Sequence, residues 1–177
     1  MMSRQGPQIR RFGSACLRRQ AVPADAKSPA TQELLDRMWE VLLADGGVGL
    51  AAPQIDENVR LVVVRDPDRP IGEQRLDFVN PVVTRRYGPE KYFNEGCLSF
   101  PGLYAHVLRR EGIEFSFESA DSGDLTTQKD HGLLARIIQH EVDHLDGVLF
   151  IDHLSVWDRL MLGPQLLRIL LRRCFRR

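Results

Sequence analysis

The chain has 177 residues, and its 24 lysines and arginines balance 24 aspartates and glutamates. A chain of this length most often forms one domain with a buried core, and its balanced charge gives no indication of DNA binding. We expect no transmembrane segment because no apolar run is long enough, and the odd, unevenly spaced set of cysteines (Cys16, Cys97 and Cys174) argues against a disulfide-built secreted protein.

The segment up to about Pro29 has no clear period and is predicted to be loop. Residues 1–20 contain arginines but no acid, as an organelle transit segment would, yet the stretch is short and includes Gly6-Pro7. It also lacks the apolar core of a secretory signal. We therefore favour the cytoplasm and a reducing compartment over an organelle.

The first half of the remaining chain predicts one helix and two strands. Ser28-Pro29 is a helix start signal, and apolar residues follow at helical spacing until Asp45-Gly46-Gly47. "RLVVVRD" (60–66) predicts a buried strand. "LDFVNPVV" (76–83) predicts a second extended segment, in which Pro81 indicates an edge or a bulge.

The second half changes from strands to helices. "GIEFSFESADSGD" (112–124) is typical of a hairpin, and a helical period begins near Asp130 and is capped by Gly147. "VLFID" (148–152) predicts a short strand, and residues 156–175 predict a basic amphipathic helix interrupted at Gly163-Pro164. Strands followed by helices, without βαβ alternation, predict an α+β domain.

The segment "QHEVDHLDG" (139–147) contains the H-E-x-x-H pattern of metal hydrolases. Residues four apart lie on one face of a helix, so His140 and His144 can bind one ion, with Glu141 beside them. The alternative is a surface helix with unrelated histidines. The apolar residues around the motif argue against it because they predict a buried helix, in which His and Glu need partners.

A catalytic metal normally takes three protein ligands and leaves one position open for water. Cys97 in "NEGCLSFPG" is the best candidate for the third ligand, since a thiolate binds borderline divalent ions well. Cys97 could instead be a small buried apolar residue, and His106, His131 and His153 are rival ligands without a supporting spacing.

The stretch "GGVGLAAPQ" (46–54) combines small residues with an amide at Gln54. Gly47 and Gly49 permit close approach of another chain or a ligand. The spacing does not match a nucleotide-binding loop, and a tight turn leading into the next strand is the simpler alternative. Spacing alone does not decide between a turn and a binding loop.

Together these segments resemble the peptide deformylase family. Its three motifs correspond, in order, to "GVGLAAPQ" (47–54), "EGCLS" (95–99) and "QHEVDHL" (139–145), and the resemblance extends from about Ala15 to Leu154. It implies an α+β peptide-deformylase-like fold, with mixed or antiparallel strands packed around a central helix carrying HExxH. It also implies a single domain over residues 1–177, with a C-terminal helix at about 156–175.

The resemblance implies a hydrolase that removes the N-formyl group from the formylmethionine of nascent polypeptides and releases formate, an N-terminal processing step of protein biosynthesis. Cys97, His140 and His144 would bind one divalent metal ion, with water in the fourth position, and Glu141 would be the general acid and base. In many members of the family the ion is Fe(II), which Zn, Ni or Co can replace.

The family's remaining positions imply how the substrate is held. Gln54 and the backbone N–H of Leu98 would stabilise the oxyanion, a task in which one donor typically contributes about 3 kcal/mol. Gly49 and Gly96 would offer backbone groups to an extended peptide.

Substrate selectivity is expected to come from the shape of a pocket. Four residues match positions where the family surrounds the methionine side chain: Val48, Phe93, Leu133 and Ile137. Arg109 matches a basic position near the bound peptide. A tight wall near Leu98 would exclude acetylated chains, because an acetyl methyl is larger than a formyl hydrogen.

Two features depart from the common family pattern or extend beyond it. Arg136 stands where many bacterial members have an apolar residue; we expect it to point outward with its stem on the surface rather than to rim the entrance. The basic C-terminal helix is expected to dock on the domain, to contact ribosomal RNA or to lie on a membrane surface.

Two other function classes remain open. A metalloprotease would use His140, Glu141 and His144 with a different third ligand and would be indifferent to loss of Cys97. A metal-stabilised binding module would need a fourth protein ligand, for which Asp143 is the most plausible residue although it faces another side of the helix. Neither class explains the stretch 47–54.

Overall fold

The computed structural model describes residues 8–174 and shows an α+β fold, as predicted. Its helices and strands, in chain order, are α1 (Pro29–Ala44), β1 (Gly49–Ala51), β2 (Leu61–Arg65), β3 (Arg75–Gly96), β4 (Tyr104–Ser119), β5 (Leu125–His131), α2 (Gly132–Leu145), α3 (Val156–Met161) and α4 (Gly163–Cys174). The predicted α1, the buried strand at β2 and the β4–β5 hairpin are confirmed. No helix within this part of the chain is long and apolar enough to cross a bilayer.

The five strands form one sheet in the order β1-β2-β3-β4-β5, and neighbouring strands are antiparallel. The run "LVVV" in β2 is continuously apolar because both of its faces are covered. Val62 and Val64 pack in the core cluster that contains α2, whereas Leu61 and Val63 pack in the cluster that contains α1. Since alternate residues of a strand point to opposite faces, α1 and α2 cover opposite sides of β2.

β3 is the longest strand, with 22 residues, and it carries the chain from the core to the loop that begins at Cys97. Its register against β4 shifts between Val79 and Val82, which confirms a bulge at Pro81. The alternative, an edge position, is wrong because β3 lies between β2 and β4. Asn80 has a φ of 52° at this bulge, and its side-chain amide bonds both backbone groups of Ala24.

α2 is the central helix that carries HExxH. Its apolar side, formed by Ala135, Ile138, Val142 and Leu145, packs in the same core cluster as the sheet residues. Gly147, beyond its end, has a φ of 73°, and a Cβ there would lie 2.8 Å from the carbonyl oxygen of Arg18. Only glycine suits both the backbone angle and this contact, so the predicted helix cap is confirmed.

The segment after α2 differs from the prediction at "VLFID". Phe150–His153 forms a 3-10 turn, not a strand, because the Asp152 carboxylate accepts the Leu149 N–H at 2.8 Å and closes the turn. The predicted interruption near Gly163 is confirmed, since α3 ends at Met161 and α4 begins at Gly163. Phe175, the predicted helix end, lies outside the described residues. α4 docks through Ile169, which is 6% exposed.

Candidate metal centre

Three potential metal ligands meet where the end of β3 lies against α2. Cys97 directly follows β3, and His140 and His144 are separated by one turn of α2. One ligand atom from each residue can be chosen so that all lie within 4.8 Å of one another, and Cys97 Sγ is 3.2 Å from His144 Nε2. The predicted Cys-His-His group is therefore brought together by the fold.

Glu95 orients one of the ligands. Its Oε2 lies 3.0 Å from His140 Nδ1, which leaves His140 Nε2 available for an ion. Burial opposes ionisation of Glu95, but hydrogen bonds from His140 and Arg109 outweigh burial and lower the pKa of this carboxyl to about 2. Glu95 therefore stays negatively charged and can hold the ring in one orientation.

A network of buried charges lies behind the ligands. Arg109 bonds Glu95 at 2.8 Å and Asp143 at 2.6 Å, and His153 Nε2 lies 2.7 Å from the same Asp143 oxygen. Although burial disfavours the charged forms, the two carboxylates raise the pKa of Arg109, and His153 and Arg109 lower that of Asp143. Arg109 therefore forms ion pairs with two buried carboxylates and does not line the adjoining cavity, and its contact with a bound peptide stays a prediction.

Arg136 is also buried, so the expectation that it points outward is wrong. Its guanidinium bonds Glu95 at 2.8 Å and the backbone carbonyls of Val107 and Lys91 at 3.1 and 2.8 Å. It lies over the Phe93 ring, 5.3 Å from the ring centroid, and lines the cavity. A carboxylate from β3 supplies the partner that a buried arginine requires, which a helical pattern alone does not reveal.

Glu141 lies beside the ligand group and is 4% exposed. Burial raises the pKa of its carboxyl to about 7, against the opposing effect of His140. Its Oε2 has no hydrogen-bond partner within residues 8–174. A Cβ on Gly49 would lie 2.5 Å from Glu141 Oε1, so glycine at this position is what leaves room for the carboxylate.

Gln54 presents its amide N–H to the ligand group. Its Oε1 accepts the backbone N–H of Ala51 at 2.8 Å, so the opposite side of the amide must carry the donor. That Nε2 lies 3.5 Å from Cys97 Sγ and 3.3 Å from Ser99 Oγ. The stretch 47–54 is therefore part of the site and not only a turn before β2.

The donor set fits one metal ion with an open position. A sulfur and two imidazole nitrogens suit borderline divalent ions. The unpartnered Glu141 oxygen beside them could accept a hydrogen bond from a water molecule in the open position. Asp143 is held by Arg109 and His153, so it is not placed as a fourth ligand. The group found within the described residues contains none of the rival ligands His106, His131 and His153.

A cavity of about 520 Å³ opens over the ligands. Its lining includes the residues that the resemblance assigned to the substrate, apart from Arg109: Val48, Gly49, Gln54, Phe93, Gly96, Leu98, Leu133 and Ile137. Sequence reasoning missed Arg11, residues 101–103 and Tyr104, which also line it. The signal that could have revealed Tyr104 is Gly96, its cross-strand partner, where a Cβ would lie 2.5 Å from the Tyr104 ring.

The Cys-His-His group, in which both histidines are buried, and the unpaired carboxylate oxygen of Glu141 lie beside a cavity and define a metal-dependent hydrolase. The sequence model described as "Polypeptide deformylase" matches residues 7–159. The chain therefore belongs to the peptide deformylase family and is a metal-binding hydrolase of N-terminal processing with peptide deformylase activity.

Relatives and solved structures agree with this assignment. The chain is 41% identical to the peptide deformylase of Desulfitobacterium hafniense over 82% of this chain and 92% of that one, and 40% identical to peptide deformylase 2 of Xanthomonas campestris over 91% and 94%. The crystal structure of Plasmodium falciparum peptide deformylase superimposes with a TM-score of 0.88 at 27% identity, over 96% of this chain and 98% of that chain.

Proposed function

We propose that the protein removes the formyl group from N-formylmethionyl nascent polypeptides in the cytoplasm. The observation that carries this proposal is the buried, unpartnered carboxylate oxygen of Glu141 beside the converging donors of Cys97, His140 and His144. Hydrolysis of a formamide adds water to the formyl carbon and breaks the C–N bond. It therefore needs a base for the water, donors for the oxyanion and an acid for the departing amine.

Glu141 supplies both the base and the acid in this proposal. A bound metal ion would lower the pKa of water from about 15.7 to roughly 7 and polarise the carbonyl. Glu141 accepts the proton of the attacking water on its free carboxylate oxygen and then delivers it to the nitrogen, which leaves as the methionine amine. Glu95 keeps His140 oriented throughout, because it holds the far side of the ring.

Gln54 and Leu98 form the oxyanion site. The Gln54 Nε2 donor is held toward Cys97 by the Ala51 bond, and the backbone N–H of Leu98 follows Cys97 directly. We expect Gln54→Ala to retain metal and fold while its turnover falls by about 10²–10³. Formate release and metal content check this, and unchanged turnover would remove Gln54 from the mechanism.

The cavity wall is proposed to select methionine and the formyl group. Val48, Phe93 and Leu133 are 39%, 49% and 41% exposed, so they offer apolar surface that a thioether side chain can cover. Ile137, on the same wall, completes this pocket, and Gly49 and Gly96 offer backbone groups to the peptide. Comparable cleavage of N-acetyl- and N-formylmethionine peptides would refute selection by size near Leu98.

Glu141→Gln is the decisive test of the mechanism. The amide is nearly the same shape as the carboxylate but cannot take up the proton, so formate release should fall by about 10²–10⁴ with metal binding retained. Glu40→Gln serves as the control, because it makes the same change at an exposed glutamate on a different helix, α1. Wild-type turnover in Glu141→Gln would contradict the proposal.

We propose Fe(II) as the bound ion, since the sulfur and imidazole donors favour transition metals and the family commonly uses iron; Zn, Ni or Co would also fit. Anaerobic purification followed by metal analysis tests this proposal. Recovery of stoichiometric zinc and no iron would contradict it.

We further propose that residues 1–177 act as one domain whose basic C-terminal helix contacts the ribosome. α4 is docked through Ile169 but leaves Leu167 and Leu171 about half exposed, at 56% and 51%. Basic side chains around such a helix can meet the phosphates of ribosomal RNA. Co-sedimentation with ribosomes at two salt concentrations, with and without residues 164–177, tests this contact. Ribosome binding that is unchanged by the deletion would exclude the helix as the contact.

A further inference from the structure

A second cleft of about 240 Å³ adjoins the catalytic cavity. Three arginines line it, and we refer to it as the arginine cleft: Arg11 comes from the N-terminal loop, and Arg168 and Arg172 come from α4. Arg11 and residues 101–103 line both the cleft and the catalytic cavity. A peptide that leaves the cavity along this shared wall would reach the arginine cleft.

The charges of the arginine cleft have no acidic counterpart. Arg10 pairs with Asp56 at 3.0 Å, whereas within the described side chains no ion pair forms at Arg11, Arg168 or Arg172. The lining of the cleft contains neither aspartate nor glutamate. In a chain whose total charge is zero, this is a local excess of positive charge that faces a concave space.

The arginines are presented by anchored elements. Arg168 and Arg172 are one turn apart on α4, beside the buried Ile169. Arg11 precedes Phe12, whose ring centroid lies 5.0 Å from that of Phe100 and whose N–H donates to Ser99 at 2.9 Å. Like charges four residues apart disfavour a helix, so an anion bound between these side chains would relieve their repulsion.

We propose that the arginine cleft is a subsite for an aspartate or glutamate side chain of the substrate, a few residues beyond the formylmethionine. This inference rests on the proposed function. An extended peptide advances roughly 3.3 Å per residue, so the subsite should favour an acid at one register. The apolar walls at Leu103 and Ile169 suit the methylene groups of such a side chain. The wall that the cleft shares with the catalytic cavity favours a peptide held in that cavity over a nucleic-acid backbone.

The test uses the full-length, metal-loaded enzyme and formylated, C-terminally amidated heptapeptides. Each peptide carries one glutamate, or glutamine as its match, at one position from the third to the seventh. We expect kcat/KM for one register to favour glutamate by about 3–10-fold at low ionic strength and much less at about 0.5 M salt.

The variant Arg168→Gln with Arg172→Gln should bring this preference close to one, and Arg11→Gln should reduce it without altering α4. Arg85→Gln with Arg86→Gln is the matched control, because it removes two exposed charges from β3, away from the cleft, and should keep the preference. Agreement between the α4 variant and Arg11→Gln excludes disturbed folding of α4 as the cause.

Several outcomes overturn the subsite. Equal rates for glutamate and glutamine at every position would do so, as would loss of the preference in the Arg85/Arg86 control, which would indicate only long-range attraction. Loss of ribosome co-sedimentation in the α4 variant with an intact peptide preference would assign these arginines to RNA. Failure to release formate from the glutamine peptides would contradict the proposed function itself, and with it the subsite.

Discussion

Charged side chains are arranged in opposite ways around α2 and on α4. Behind the metal ligands, Arg109 and Arg136 are almost fully buried and both bond the Glu95 carboxylate. In the arginine cleft, Arg168 and Arg172 are exposed and have no acidic partner among the described residues. A buried charge is tolerated only with its partner, whereas an unpaired surface charge costs little and stays available for a ligand. The first arrangement orients the His140 ring, and the second is the proposed subsite for an acidic side chain.

Removing the Glu95 carboxylate, which Arg109 and Arg136 share, should disrupt the buried charge network. Glu95→Ala leaves two buried arginines short of a partner and His140 without its acceptor, so unfolding free energy should fall by about 3–5 kcal/mol. Metal affinity should fall by about 10–100-fold. Denaturant unfolding and metal competition measure these effects. Wild-type stability would show that Glu95 is not the centre of the network.

Arg136→Leu should have a smaller effect. It keeps apolar volume but removes the Arg136 donor from the carbonyls of Val107 and Lys91, while Arg109 and His140 still hydrogen-bond Glu95. We expect a loss of about 2–3 kcal/mol in the same unfolding assay. The half-exposed Arg110, with 47% side-chain exposure, provides a matched control as Arg110→Leu, which should lose far less. Similar losses in both variants would contradict burial of Arg136.

Ile169→Ala tests how strongly α4 is packed on the rest of the domain. Removing this side chain should cost about 2 kcal/mol, the low end for core truncation, because its partly exposed neighbours can collapse into the space. Hydrogen exchange should increase in α4 and stay unchanged in α2. The exposed Leu171, as Leu171→Ala, is the control. Faster exchange throughout α2 would mean that the two regions are more strongly coupled than the packing indicates.

The smallest effect is expected at an ordinary surface pair. Arg37 lies 3.5 Å from Glu57, and their side chains are 51% and 46% exposed. Arg37→Ala should change stability by less than about 1 kcal/mol, and by less again in high salt. Thermal unfolding at two salt concentrations checks this. A loss as large as that of Arg136→Leu would remove the distinction between buried and exposed charge.

Sequence patterns correctly predicted the helices and strands that bury one or both of their faces. α1, β2 and α2 were predicted because their apolar positions repeat or run continuously. The sequence analysis did not predict residues 84–94 of β3 as strand, because their side chains are mostly exposed and show no apolar alternation. The same limitation applies to Phe150–His153, where a local carboxylate and not a neighbouring strand decides the backbone.

The metal ligands could be predicted because their motifs are local, whereas their supporting contacts could not. Helical spacing pairs His140 with His144, and the resemblance places Cys97 with them. The burial of Arg136 and the ion pairs of Arg109 both depend on Glu95 reaching α2 from β3. Contacts of this kind join distant parts of the chain and leave no periodic pattern.

The charge network also bears on the net charge of the interior behind the ligands. The carboxylates of Glu95 and Asp143 balance the guanidinium charges of Arg109 and Arg136 one for one. The network therefore adds no net charge behind the ligands, and the charge of a bound ion would be offset by its own ligands and by Glu141. The two arginines thus let buried carboxylates orient a ligand without adding negative charge to the interior.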